Sequence, residues 1–91
     1  MIKTKRLFIT GSVQSMFFGN FINDHAKKLN LRGYLRKLED GRMEVFIEGQ
    51  GENVDQMMQI CQRGPQHAQI RSIEEKPASF QDFKEFKILK I

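Results

Sequence analysis

Ninety-one residues suit a single domain with one core, because a chain this short buries only about 60% or somewhat more of its unfolded surface on folding. With 40% hydrophobic and 29% charged residues the composition is that of an ordinary globule, too apolar for disorder and without an apolar run of membrane-spanning length. A formal net charge of +4 favours anionic partners, but Glu44, Glu48, Glu52, Asp55, Glu74 and Glu75 are interspersed with the basic residues, so nucleic acid is not the expected partner.

The basic start, Met1 to Arg6, is followed by a short apolar stretch broken at Thr10, Gly11 and Ser12, which does not suit a secretory signal. One cysteine, Cys61, excludes an internal disulfide framework. Both points favour a cytoplasmic location.

Leu7, Phe8 and Ile9 form a short apolar run that ends at Gly11 and suits a central strand. From Phe18 the period changes: Phe18, Phe21, Ile22, Ala26 and Leu29 recur every three to four residues and mark one face of a helix. Asn30 is its natural stop, since asparagine tolerates the left-handed conformation common just past helix ends.

A second strand is expected over about Arg32 to Leu38 and a third over Arg42 to Gly49, where Met43, Val45 and Ile47 alternate with Glu44, Phe46 and Glu48. Asp40-Gly41 between them predicts a two-residue hairpin turn of the primed type, which needs the positive φ that glycine supplies. Val54, Met57, Met58 and Cys61 carry the spacing of a second amphipathic helix that ends at Gly64-Pro65. Ala68, Ile70 and Ile73 mark a fourth strand whose broken alternation predicts a bulge or bend. A polar loop around Pro77 to Asp82 leads to a last strand carrying Phe86, Ile88, Leu89 and Ile91. The order is strand, helix, strand, strand, helix, strand, with a closing strand. That is an α+β, ferredoxin-like βαββαβ sandwich in one domain over residues 1–91, an antiparallel sheet with both helices on one face.

Three motifs stand in order along this framework: Gly11-Ser12-Val13-Gln14-Ser15-Met16-Phe17-Phe18-Gly19, then Gly33-Tyr34-Leu35-Arg36-Lys37, then Asp40-Gly41 with Glu48-Gly49 after the third strand. With Gly64-Pro65 and the final Phe86-Lys87-Ile88, they resemble the acylphosphatase family, whose pattern is G-x-V-Q-G-V-G-F-R, G-W-V-R-N and D-G-x-V-E-V-x-x-E-G. The resemblance implies hydrolysis of an acyl phosphate to a carboxylate and inorganic phosphate, without metal, cofactor or covalent intermediate. It implies a phosphate-binding loop at Ser15, Met16, Phe17, Phe18 and Gly19, where inward backbone N–H groups and a helix N-terminus receive the anion.

The same alignment sets the family's catalytic arginine on Gly19 and its catalytic asparagine on Lys37. An arginine fork donates two parallel bonds to phosphate oxygens, and an asparagine amide can orient the attacking water. Gly19 has no side chain, and a protonated lysine accepts no hydrogen bond. Family glycines also fall on Ser15 and Phe17, and Phe17 at positive φ would be strained. The expected activity is therefore impaired acyl phosphate hydrolysis; the alternative is a non-catalytic anion- or protein-binding module on the same fold. Lys37 is either a solvated strand-end lysine or a cation that replaces the lost guanidinium as a ligand for phosphate or carboxylate.

Arg36 fits a surface or structural role, and Gln14 and Asn20 either touch a ligand or cap their elements. Cys61 sits on an apolar stripe as a small hydrophobe. His25 and His67 have no ligating residues at metal spacing, so no metal site is expected. Helical spacing assigns Phe18 and Phe21 to the core, whereas Phe17, if exposed, would mark a partner surface. A monomer with a small anionic ligand is the expected form.

Overall fold

The computed structural model describes residues 1–12, 16–65 and 69–89. The elements are β1 (Ile2–Gly11), α1 (Met16–Lys28), β2 (Arg32–Lys37), β3 (Met43–Gln50), α2 (Gly51–Arg63), β4 (Ile70–Pro77) and β5 (Phe86–Ile88). They build a five-stranded sheet in the order β4-β1-β3-β2-β5. The four long strands are antiparallel to their neighbours, as the sequence pattern predicts, and the short β5 is added parallel to β2. No helix among the described residues is long and apolar enough to cross a membrane.

The period-two pattern places Leu7 and Ile9 of β1, Leu35 of β2 and Met43, Val45 and Ile47 of β3 on one face. There they meet Phe18, Ile22 and Ala26 of α1 and Val54, Met57, Ile60 and Cys61 of α2. Ile60 joins this stripe where the sequence pattern had picked Met58, which packs only at its margin. α1 turns out of its axis at Asn30, φ 55°, and α2 at Gly64, φ 66°, whose N–H returns to the Ile60 carbonyl at 2.9 Å.

The hairpin differs from the expected two-residue turn. Leu38 N–H bonds the Arg42 carbonyl at 2.8 Å, so Glu39, Asp40 and Gly41 form a three-residue loop. Gly41 closes it with φ 94° and donates its N–H to the Leu38 carbonyl at 3.1 Å. This is the turn plus left-handed residue that three-residue hairpins favour, and it too requires the glycine. The expected irregularity in β4 is present: Thr10 pairs with Ser72 and Gly11 with Ile70, leaving Arg71 as the extra residue of a bulge. Ala68 and Ile91, expected in the last two strands, lie outside the described residues.

The other face of the sheet carries a second, smaller packed layer. Phe46 stacks on Tyr34 with ring centroids 5.5 Å apart, and Phe83, from the segment before β5, meets both edge-on. Glu48, 1% exposed, accepts the N–H groups of Gln81 at 2.9 Å and Phe83 at 2.8 Å and so fastens that segment across the sheet.

Candidate active site

The region to inspect lies where β1 hands over to α1, opposite the end of β2. Ser12 N–H bonds the Gln69 carbonyl at 2.8 Å, tying the end of β1 to the approach to β4. Ser15 of the expected phosphate loop lies outside the described residues, as do Gln14 and His67. Met16, Phe17, Phe18 and Gly19 are not a loop: they form the first turn of α1. Phe17 therefore has a helical backbone, and the only positive-φ non-glycine residues described are Asn30 and Asp82, so the strain expected at Phe17 is absent.

Within that turn the four residues divide sharply. Phe18 is a core residue, whereas Met16 and Phe17 are 78% and 67% exposed. Gly19 is buried, and a Cβ built on it would meet Leu35 Cδ1 at 3.7 Å, an ordinary contact. The N–H groups of a helix's first turn lack partners within the helix and carry its positive dipole end. No acidic residue in the first turn of α1 offsets that field.

Lys37 is the last residue of β2, paired with Met43, and alternates in step with Leu35, which pairs with Val45. It therefore lies on the helix-facing side of the strand, roughly 7 Å beyond the residue that Gly19 touches. Its side chain is exposed and makes no ion pair among the described residues. Gly19 thus packs against Leu35, and Lys37 follows two residues farther along β2.

Arg36, one residue earlier, points to the opposite face, where its Nε bonds the buried carboxylate of Glu44. That bond raises its pKa further above the ordinary arginine value. Arg6 faces Glu44 from β1, Arg32 reaches the Phe83 carbonyl, and Arg42 pairs with Asp40, holding that exposed carboxyl below its usual range through its backbone N–H and guanidinium. All four of these guanidiniums thus have partners away from Gly19.

Other candidate groups are accounted for structurally. Cys61 is free and fully buried, and burial pushes its thiol up to about 12, so it is no nucleophile at neutral pH. His25 Nδ1 lies 2.9 Å from the Phe21 carbonyl, in donor position, with the two rings 4.4 Å apart. Among the described residues no group of three His, Cys, Asp or Glu side chains could hold a metal ion. The features that the residue pattern does not single out are the buried carboxylates Glu44 and Glu48. The signal for one of them was available, since pairing β2 with β3 across the Asp40-Gly41 turn sets Arg36 directly opposite Glu44.

The acylphosphatase family model matches residues 5–88. The chain belongs to the acylphosphatase family. An acylphosphatase from Alkalilimnicola ehrlichii is 34% identical over 98% of this chain and 100% of its own length. One from Rubrobacter xylanophilus is 38% identical over 85% of this chain and 72% of its own. The acylphosphatase of Bacillus subtilis superposes with a TM-score of 0.91 at 24% identity, covering 99% of this chain and 100% of that one, a likeness of fold.

Proposed function

We propose that this acylphosphatase-family protein receives a small phosphorylated anion between the first turn of α1 and Lys37, and that its hydrolysis of acyl phosphates to carboxylate and inorganic phosphate is impaired. The observation that supports this reading is that Gly19 packs against Leu35, two residues before Lys37 on the same strand, and neither position supplies a guanidinium or a carboxamide. The helix end and the ammonium of Lys37 still attract phosphate, the lysine as a point charge. What is lost is the planar fork that would follow developing charge and the amide that would orient water. Removing one preorganised donor of that kind costs on the order of 10² to 10³ in rate, and two such losses need not multiply. A monomeric, cytoplasmic protein working without metal or cofactor belongs to the same reading, with the free, buried Cys61 in keeping with a reducing compartment.

The test is acetyl phosphate hydrolysis by the unaltered protein, by Gly19→Arg and by Gly19→Arg with Lys37→Asn. The space at Gly19 admits a Cβ without displacement of backbone. A gain on the order of 10² or more in the double variant is expected. Turnover in the unaltered protein equal to that of the double variant would refute impairment. The second reading, a non-catalytic module for an anion or a protein, draws on exposed Met16 and Phe17 at the entrance to α1. It is favoured if the double variant stays inactive while phosphate still shifts the amide signals of Met16 to Gly19.

A further inference from the structure

Glu44 lies on the sheet face turned away from the helices, yet it is only 2% exposed. The groups that cover it are polar. Tyr34 Oη donates to Glu44 Oε2 at 3.0 Å, Arg36 Nε donates to Oε1, and Arg6 Nε lies 3.4 Å from Oε2. The phenol is held neutral: burial, followed by the bond to Glu44, raises its pKa above the usual tyrosine value. Two guanidiniums therefore face one carboxylate, leaving a surplus positive charge.

Both arginines approach Glu44 through Nε, and both side chains are otherwise half exposed. Their terminal nitrogens, the forked edge that recognises oxyanions, have no protein acceptor among the described residues. Arg6 is further held over the Phe46 ring, 5.8 Å from its centroid. Other basic residues on this face have acidic neighbours of their own, Arg42 with Asp40, Lys76 with Glu74, Arg32 with Asp82 and Lys87 with Glu85. Arg36 is thus fastened to one buried carboxylate by a hydrogen bond and Arg6 by an ion pair, the buried Arg6 Nε–H having no hydrogen-bond partner among the described residues, and anchoring of this kind lowers the ordering cost of binding.

We propose that Arg6 and Arg36, anchored on Glu44, form a clamp for a phosphate monoester on the helix-free face of the sheet, separate from the α1–β2 site. A carboxylate presents one edge and satisfies one fork. A phosphate monoester presents three terminal oxygens and can engage both.

The experiment is titration of the isotope-labelled protein with methyl phosphate, with acetate at equal ionic strength as control, following the Nε–Hε signals of Arg6 and Arg36. Saturable shifts of both signals are expected with methyl phosphate, and they should persist in Lys37→Gln, which alters only the other site. Arg6→Gln should weaken this binding at least tenfold. Arg6→Lys, which keeps the charge without the fork, should also weaken it and serves if Arg6→Gln fails to fold. Absence of saturation, equal binding of acetate, shifts confined to the first turn of α1, or full affinity in Arg6→Lys would each overturn the clamp.

Discussion

Replacing Glu48 by glutamine tests whether one carboxylate fastens the segment before β5. In the native protein each carboxylate oxygen accepts one backbone N–H, from Gln81 at 2.9 Å and Phe83 at 2.8 Å, in a place shielded from water. Hydrogen bonds to a charged group contribute about 1.5–3 kcal/mol each. Glutamine keeps the shape but turns one acceptor into a donor facing an N–H, so one bond is lost outright and the other weakened. The expected cost is about 2–4 kcal/mol, and for a domain of this size each kcal/mol lowers Tm by about 4–8 °C. Thermal unfolding should therefore shift down by about 8–32 °C. Amide exchange at Gln81 and Phe83 should accelerate far more than exchange at Val45 in the central strand, because the segment opens without the sheet. A Tm within 3 °C of the parent, or unchanged protection at those two amides, would refute the reasoning.

Two glycine substitutions should differ sharply. Gly41→Ala places a side chain at φ 94° with nothing within 4 Å, so only the backbone preference is lost, about 1–2 kcal/mol by denaturant unfolding. Gly33→Ala puts Cβ 1.9 Å from the Phe46 carbonyl oxygen at φ 138°, which forces β2 from β3, and little soluble folded protein is expected. Cys61 should resist thiol reagents in the native protein at pH 8 and react only at the rate of unfolding. Its folded pKa of about 12 lies above the ordinary thiol value of 9.0, so the unfolded state releases its proton first as pH rises. The thiol's stabilising contribution is therefore complete below about pH 9 and is lost toward pH 12, with a slope of up to about 1.4 kcal/mol per pH unit. Comparing Cys61→Ala with the parent across that range by urea unfolding isolates the slope; parallel curves would contradict a buried thiol.

Most of the framework is legible in the residue pattern because burial on one side leaves a period. Phe18, Ile22 and Ala26 fix the face of α1, and Met43, Val45 and Ile47 fix the face of β3, with no help from tertiary contacts. Period alone fails where the far side of the sheet is also covered. Glu44 and Glu48 alternate with the core residues of β3, and it is the crossing of residues 79–85 and the arginines from β1 and β2 that cover them. The loop length at Asp40-Gly41 was misjudged because a left-handed glycine serves both two- and three-residue hairpins. At the candidate site the aligned pair Gly19 and Lys37 could be named from motif spacing. The helical state of Met16 to Gly19 could not, since family glycines suggest a loop whereas Met16, Phe17 and Phe18 accept a helical turn.

The outermost strand, β4, has a consequence for how copies of this chain can meet. A bare sheet edge invites another strand to dock and propagate, the route by which β proteins aggregate. Here the rim is interrupted at Arg71, studded with Glu74, Glu75 and Lys76, and finished by Pro77, which offers no N–H. An incoming backbone would meet a kink, a run of charged side chains and a missing donor within eight residues. Edge-to-edge fibre growth is thereby blocked on that flank in the folded state.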